Sequence, residues 1–117
     1  MKTVFVLNDP PYGTERCYNA LRFAHALLKK NQETEVTVFL LADAVTAARA
    51  GQMTPDGYYN IERMLKRLVI GGGHILLCST CMSARGLGDA EVIAGARPST
   101  MDDLAAATIY ADKVLVF

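Results

Sequence analysis

Two cysteines three positions apart are the residues of this chain best suited to chemistry. Cys78 and Cys81 stand in the stretch Cys78-Ser-Thr-Cys-Met-Ser-Ala-Arg-Gly86, directly after an apolar run that predicts a buried strand. The small and polar residues after Cys78 predict the first turn of a helix. Backbone N–H groups at a helix start have no intrahelical acceptor, so a thiolate is stabilised there and its pKa falls. The spacing therefore indicates a reactive thiol pair; the alternative is that both cysteines simply pack as small buried residues.

The thiol pair is compatible with four kinds of function. In the leading one, sulfur transfer, Cys78 accepts a sulfane sulfur as a persulfide, and Cys81, one helical turn on, resolves it or forms a disulfide. A thiol–disulfide oxidoreductase of thioredoxin type fits the Cys-x-x-Cys spacing, but such proteins usually have an antiparallel hairpin that this pattern lacks. A metal site would need further ligands from another subunit. In a non-catalytic oligomeric binding module, the cysteines would only pack. We predict that Cys78 and Cys81 are the catalytic residues and that neither a metal nor a cofactor is bound.

Three further residues are candidates for contacts with a substrate or a partner. Arg85 follows Cys81 by one turn and could offer its charge to an anionic donor, although a surface position beside the helix stop at Gly86 explains it equally well. Asn8 and Tyr12 belong to the loop that follows the first predicted strand. We expect that loop to reach the same edge of the sheet as the cysteines.

Other reactive residue types in the chain are interpreted as structural. Cys17 falls on the apolar face of a predicted helix, which indicates core packing. His25 lies next to that face without a His or Cys at metal-ligand spacing, which favours a surface or interface position. Gly71-Gly72-Gly73 follows a helix and precedes a strand, the reverse of a phosphate-binding loop, so it is predicted to be a helix stop. His74 lies at the opposite end of its strand from the usual ligand site.

Hydrophobic periodicity predicts the elements that position these residues. Apolar, β-branched runs predict strands at 3–7, 35–41, 74–77 and 113–117, with a very short strand at 92–93 and a loop at 95–98. Helices are predicted after Thr14 as cap, from 42 to 51 with Asp43 as cap, from Tyr58 onward, and after Ser99 as cap. The last helix is predicted to have an apolar side formed by Leu104, Ala105, Thr108 and Ile109. Pro55-Asp56-Gly57 predicts a turn.

The alternation of strands and helices predicts the fold class. Parallel neighbouring strands need crossover connections, so we expect an α/β three-layer sandwich with a mainly parallel sheet of about five strands and helices on both faces. We expect residues 1–117 to form one domain. Ligands of such folds gather at the carboxyl ends of the strands, where the loops at 8–13, 42–43 and 78–81 meet.

Composition restricts the partners and the compartment. Twelve Lys and Arg balance twelve Asp and Glu, so the zero net charge gives no basic excess of the kind that marks nucleic-acid binding. No apolar run approaches the length of a membrane span, and no signal peptide precedes the first strand. An odd count of three cysteines does not suggest a secreted disulfide framework, so a reducing cytosol is expected. An apolar content of 51% together with zero net charge favours self-association.

Motifs spread along the whole chain resemble the DsrE/DsrF-like family, and within it the YchN-like branch. These motifs are Asn8-Asp-Pro-Pro-Tyr-Gly13, Phe39-Leu-Leu-Ala-Asp-Ala-Val-Thr46, Gly57-Tyr-Tyr-Asn-Ile61, Cys78-x-x-Cys81 with Arg85-Gly86, and Ala111-Asp-Lys-Val-Leu115. The resemblance implies a parallel α/β sandwich that assembles into homotrimers or homohexamers. It also implies that a single cysteine carries a persulfide in the sulfur-relay members, which exchange sulfur with donor and acceptor proteins. That role corresponds to Cys78 in this sequence, and Cys81 has no counterpart in the relay subunit.

Overall fold

The computed structural model of the chain describes residues 1–55 and 58–117. Five strands form one sheet: β1 (Lys2–Leu7), β2 (Glu35–Leu40), β3 (His74–Cys78), β4 (Ala96–Ser99) and β5 (Lys113–Val116). Four α-helices connect them: α1 (Arg16–Lys30), α2 (Ile61–Ile70), α3 (Ser79–Ala84) and α4 (Met101–Tyr110), with 3-10 helices at Ala42–Ala48 and Asp89–Glu91. The predicted turn at 55–57 involves residues 56 and 57, which lie outside the described residues.

The sheet is parallel and its strands follow the order β4-β3-β2-β1-β5. Phe5 of β1 lies opposite Val38 of β2 and Leu115 of β5, and Val38 lies opposite Ile75 of β3. This register places the carboxyl ends of β1, β2 and β3 along one edge, because all three strands run in the same direction. The predicted α/β fold with a parallel sheet of about five strands is confirmed.

Alternate residues of the strands face the two helical layers. Phe5 packs edge-on against Phe23 of α1 with ring centroids 5.9 Å apart, so α1 covers this face of β1. α1 also contacts α2, which packs on β3. The side chain of Val4 points to the opposite face, where it lines a cavity with Ala106 and Ala107 of α4. Helices therefore cover both faces of the sheet.

α4 covers its face of the sheet only in part. The predicted apolar side of this helix is wrong for Ile109, which is 77% exposed, while Leu104 is half-buried against the core. Tyr110 and Val116 are also exposed, at 73% and 66%. α4, which the structure describes throughout, buries none of its residues. α4 and β5 therefore present a layer of exposed apolar side chains.

Four predicted helix starts or caps differ from the structure. Glu15, not Thr14, directly precedes α1, although the Thr14 hydroxyl accepts a hydrogen bond from the Arg16 N–H at 3.4 Å and donates one to Asp9. The helix predicted to open at Tyr58 begins at Ile61, because the Asn60 side chain caps it by accepting a hydrogen bond from the Arg63 N–H at 3.0 Å. Leu41 precedes the 3-10 helix, so Asp43 lies in its first turn and is not its cap.

The strand predicted at 92–93 lies four residues further on. Val92 forms only an isolated antiparallel bridge to Arg49, and β4 occupies Ala96–Ser99, where a loop was predicted. Pro98 fits this strand because β4 is the sheet edge, where a missing N–H breaks no ladder. Ser99 therefore ends β4, and Thr100 caps α4 instead by accepting from the Asp103 N–H at 3.2 Å. None of the described helices is long and apolar enough to cross a membrane.

Candidate thiol site

Cys78 lies at the junction between β3 and α3. It is the last residue of the strand and the N-cap of the helix that follows. β3 lies second from one edge of the sheet, and its carboxyl end is next to that of β2 and the 3-10 helix at Ala42–Ala48. The apolar run that ends at Leu77 is buried in the core and fixes the strand, so the position of Cys78 is determined by the sheet.

The Cys78 sulfur is surrounded by hydrogen-bond donors. The Cys81 backbone N–H donates to Cys78 Sγ at 3.3 Å, and the Thr80 hydroxyl lies 3.2 Å from the same sulfur. Burial raises the pKa of the Cys78 thiol, but hydrogen bonds from the side chains and backbone N–H groups of Cys81 and Thr80 outweigh it, so the pKa is lowered. α3 has only six residues, so these direct donors account for the stabilised thiolate better than a helix dipole does.

Cys81 is the protonated member of the pair. The pKa of its thiol is raised by burial and by the neighbouring Cys78 sulfur, and the Ala42 N–H and the charge of Arg85 only partly oppose this. The Ala42 N–H donates to Cys81 Sγ at 3.3 Å. The pKa values of the two thiols therefore diverge: Cys78 ionises more readily than Cys81, whose thiol hydrogen-bonds to the Cys78 sulfur.

Ala42 reaches Cys81 through an unusual backbone conformation. Its φ is +50°, in the left-handed region that residues with a side chain rarely adopt. The conformation turns the chain directly after β2 and aims the Ala42 N–H at the thiol. Backbone strain of this kind costs about 1 kcal/mol or more and is common at functional sites.

Arg85 joins the two segments that contact the cysteines. Its Nε donates to Asp43 Oδ1 at 2.8 Å, and its Nη1 donates to the Cys81 carbonyl at 3.1 Å. The side chain of Asp43 is exposed and that of Arg85 is partly buried, so the ion pair contributes modestly to stability. Its geometric effect is to hold the 3-10 helix at Ala42–Ala48 against the end of α3.

Access to the two sulfurs differs. Cys78 is 6% exposed, whereas Cys81 is half-buried and Thr80 is exposed. Only a small part of Cys78 is therefore open to a reactant, beside the more exposed Cys81 and Thr80.

The loop after β1 does not bring its candidate residues to the cysteines. β2 separates β1 from β3 in the sheet. The side-chain amide of Asn8 donates to the Phe117 carbonyl at 3.4 Å and ties β1 to the end of β5. The Tyr12 hydroxyl donates to Gln52 Oε1 at 2.5 Å and accepts from the Ile61 N–H at 3.2 Å. Binding roles for Asn8 and Tyr12 stay predictions, whereas Arg85 is beside the thiol pair.

The third cysteine and the histidines lie away from this site. Cys17 is fully buried and its thiol donates to the Asp9 carbonyl at 3.2 Å; burial raises its pKa to about 12, as expected for a core residue. His25 is half-buried, with Nε2 3.0 Å from the Met64 carbonyl oxygen, and His74 is exposed at the start of β3. Within residues 1–55 and 58–117, no three His, Cys, Asp or Glu side chains are grouped to hold a metal ion.

Two contacts of the site were missed by the sequence interpretation. The first is the contact from Thr80, which lies between the two cysteines in the sequence. A threonine hydroxyl in the first turn of a helix can donate to the residue that caps the helix, so this contact could have been predicted. The contact from Ala42 has no sequence signal, because alanine gives no indication of a left-handed backbone.

The fold and the site together define a class: parallel α/β proteins with a thiol pair where a strand of the sheet passes into a helix. The chain belongs to the DsrE/DsrF-like family, which it matches over residues 1–117. It is 41% identical over 116 residues to Protein YchN of Escherichia coli strain K12, covering 99% of this chain and 98% of that protein. The crystal structure of the E. coli ychN protein superposes with a TM-score of 0.94, covering 100% of this chain and 99% of the other.

Two further relatives match the whole chain at lower identity. The protein MJ0989 of Methanocaldococcus jannaschii is 38% identical over 117 residues and covers 100% of both chains. Sulfurtransferase TusD of Salmonella typhi is 28% identical over 129 residues, again covering 100% of both. The resemblance to the DsrE/DsrF-like family and its YchN-like branch is therefore confirmed.

Proposed function

We propose that this protein carries a sulfane sulfur as a persulfide on Cys78. The observation that carries the proposal is the contrast among the three thiols. Hydrogen bonds lower the pKa of Cys78, whereas burial raises the pKa of Cys17 and Cys81. A thiolate is the attacking form in sulfur exchange, so Cys78 is the nucleophile.

Sulfur loading needs no external oxidant. The Cys78 thiolate uses an electron pair to form a new S–S bond with the outer sulfur of a donor persulfide, R–S–S⁻. The donor S–S bond breaks, and R–S⁻ leaves with that electron pair. The Cys81 N–H at 3.3 Å and the Thr80 hydroxyl at 3.2 Å, which hold the thiolate before attack, are also close enough to stabilise the new persulfide.

Unloading follows one of two balanced routes. An acceptor thiolate attacks the outer sulfur, takes it as a persulfide, and returns Cys78 to the thiolate. Alternatively, the Cys81 proton passes to the outer sulfur while the Cys81 sulfur attacks the inner sulfur; the bond between the two persulfide sulfurs breaks, HS⁻ leaves with that electron pair, and a Cys78–Cys81 disulfide forms. Because the pKa of Cys81 is raised, the second route is slow at neutral pH and the persulfide has time to reach an acceptor.

Arg85 is a positioning residue with a second role toward donors. It holds the Cys81 carbonyl and Asp43, and its charge attracts an anionic donor toward the thiol pair. We propose that Asn8 and Tyr12 contact the donor or acceptor partner at the same edge of the sheet, a role that their present contacts leave open.

The relatives support the chemistry at the level of the family. TusD, a relative at 28% identity, is named a sulfurtransferase, and the family match covers residues 1–117, the whole length of the chain. We propose the same general activity for this chain. The cytosol, which keeps thiols reduced, is the compartment that we infer for it.

We also propose that the protein works as a homotrimer or homohexamer. Exposed apolar residues lie together on α4 and β5, among them Ile109, Tyr110 and Val116. A second copy offers the same apolar side chains, and zero net charge does not oppose the contact. Light scattering at micromolar concentration gives the mass. A monomer would contradict the assembly, and Ile109→Asp is expected to reduce it.

Intact mass spectrometry after incubation with a small persulfide donor tests the sulfur-transfer proposal. One added sulfur is expected on the parent chain and on Cys17→Ser, and none on Cys78→Ser. Cys81→Ser should load equally well and retain the sulfur longer, because the intramolecular route to HS⁻ is blocked. Equal loading of Cys78→Ser and the parent chain would contradict the proposal.

The close contact between the two thiols favours thiol–disulfide exchange as a second candidate. Cys78 and Cys81 share a hydrogen bond, so a disulfide between them needs little rearrangement. A redox titration separates the two functions. A reversible disulfide at cytosolic potentials without sulfur loading supports the exchange function. An intact oligomer that is inert in both assays indicates a binding module.

A further inference from the structure

Basic side chains gather in a groove between α1 and α2, although the net charge of the chain is zero. The cavity has a volume of about 510 Å³, within the range of about 300–1,000 Å³ that is common for small-ligand sites. Arg22 of α1 and Arg63 and Arg67 of α2 line it. Among residues 1–55 and 58–117, no Asp or Glu lines it. The formal charge of the whole chain is zero, so this charge is a local feature.

The three guanidinium groups form no ion pair with any carboxylate that the structure describes. Among the residues the structure describes, the ion pairs are formed by other basic side chains. Arg22 donates to the Asn19 side chain at 3.1 Å. Arg63 and Arg67 are four residues apart on one helix face, so their side chains project to the same side. Arginine forks match phosphate oxygens with two parallel hydrogen bonds.

Aromatic rings form the other part of the groove. Tyr18 and Tyr59 lie with ring centroids 4.4 Å apart, and the Arg22 guanidinium lies 5.3 Å from the Tyr18 centroid. Tyr58 is 72% exposed and Tyr59 is 49% exposed, which is unusual for large rings on a well-packed domain. Tyr59 also has a φ of +57°, a strained conformation for a bulky residue. The Tyr59 ring lines the groove beside Tyr18.

The interior end of the groove offers neutral hydrogen-bonding groups. His25 Nε2–H donates to the Met64 carbonyl at 3.0 Å, so its Nδ1 is left as an acceptor. Burial, reinforced by the charge of Arg67, lowers the pKa of His25, and the ring is neutral at pH 7. The groove thus combines three guanidinium groups, exposed aromatic rings and a neutral histidine nitrogen that can accept a hydrogen bond.

We propose that this groove binds a nucleoside phosphate, with its phosphates on Arg63 and Arg67 and its base stacked against Tyr58, the more exposed of the two rings. Arginine with stacking aromatic rings recognises the two parts of such a ligand at once. A mononucleotide fits the cavity volume. A long nucleic acid does not fit the charge of the chain, because the zero net charge gives no extended basic track for a phosphodiester backbone. The proposal does not depend on the chemistry of Cys78.

Isothermal titration of the full chain with ATP and AMP tests the proposal, with inorganic pyrophosphate as the probe for charge alone. We expect saturable binding of one nucleotide per chain, at least tenfold weaker binding of pyrophosphate, and weaker binding at higher salt. Arg63→Gln with Arg67→Gln should weaken ATP binding at least tenfold. Lys29→Gln with Lys30→Gln removes the same charge from the last turn of α1, outside the groove, and should change it less than twofold.

Tyr58→Ala tests the stacking part separately. It should weaken binding of ATP severalfold and leave binding of pyrophosphate unchanged, because only the nucleotide has a base. Arg63, Arg67 and Tyr58 are exposed, so their substitution leaves the core unchanged, and circular dichroism of each variant checks the fold. No binding of ATP or AMP at 1 mM overturns the proposal, as does equal binding of pyrophosphate and ATP. Binding of single-stranded oligonucleotides without binding of mononucleotides also overturns it.

Discussion

Replacing Thr80 with valine tests how the Cys78 thiolate is stabilised. Valine keeps the shape of threonine but removes the hydroxyl that lies 3.2 Å from Cys78 Sγ. A hydrogen bond to a charged group contributes about 1.5–3 kcal/mol, and Thr80 is exposed, so we take the lower end of that range. About 1.4 kcal/mol corresponds to a tenfold change in the acid dissociation constant of the thiol. The pKa of Cys78 should therefore rise in Thr80→Val.

The effect on reactivity depends on pH in a way that a structural defect would not reproduce. Below the pKa of Cys78 in the parent chain, the thiolate fraction of the variant is about tenfold smaller than that of the parent. Each thiolate of the variant is about threefold more nucleophilic, because it is more basic. The rate should therefore fall about threefold to fourfold. Above the pKa of the variant, both proteins are fully ionised and the variant should react about threefold faster. The two pH–rate profiles are expected to cross.

Peptide-resolved alkylation of Cys78 by iodoacetamide, measured from pH 5 to 10, gives both profiles. Ser83→Ala is the matched control, because it removes an exposed hydroxyl from the same helix that lies one turn beyond Thr80. Its profile should coincide with that of the parent chain. Identical profiles for Thr80→Val and the parent, or a uniform loss of rate at every pH, would refute the role given to the hydroxyl.

Three further predictions concern other parts of the molecule. Cys17, buried and with its pKa raised to about 12, should resist alkylation in the native protein and react only in denaturant, as peptide mapping can show. Ala42→Gly should raise the free energy of unfolding by about 0.5–1 kcal/mol in urea titrations, because glycine relieves the positive φ at some entropic cost; Ala42→Val should lower it. Burial, with the charge of Arg67, lowers the pKa of His25, so its contribution to stability is complete above about pH 6.5 and is lost as the pH falls toward the folded-state pKa. His25→Gln should flatten that part of the stability profile, and an unchanged slope would contradict the assignment.

The sequence predicted the sheet and the position of the thiol pair because local pattern and burial agree there. β1, β2 and β3 are continuous apolar runs that the structure buries, and the strand that ends at Cys78 is one of them. Alternation with helices then required the cysteines to lie at the carboxyl edge.

The prediction failed where neighbours in space decide the conformation. β4 has the sequence Ala-Arg-Pro-Ser and no strand pattern, and pairing with β3 alone makes it a strand. Ile109 has helical spacing with Ala105, which predicts an apolar side, but both residues are exposed on α4, a helix that buries none of its residues. The left-handed Ala42 is likewise fixed by the chain reversal after β2.

The charged and aromatic groove was present in the sequence but not recognised. Arg63 and Arg67 have helical spacing, yet their joint position with Arg22 depends on how α1 packs against α2. Charges at helical spacing usually form a solvated face, and their spacing alone does not distinguish such a face from an anion site. That no described carboxylate pairs with these arginines is seen only in three dimensions.

The central claim is that Cys78 is the cysteine that holds the transferred sulfur at neutral pH. Incubating the parent chain with a donor whose outer sulfur is ³⁴S, trapping by alkylation and mapping the peptides by mass spectrometry tests it most directly. The account predicts the labelled sulfur on Cys78, with Cys17 unlabelled and Cys81 present as a thiol without the label. Labelled sulfur on Cys81 with Cys78 unmodified would contradict it, as would no labelled sulfur on any cysteine.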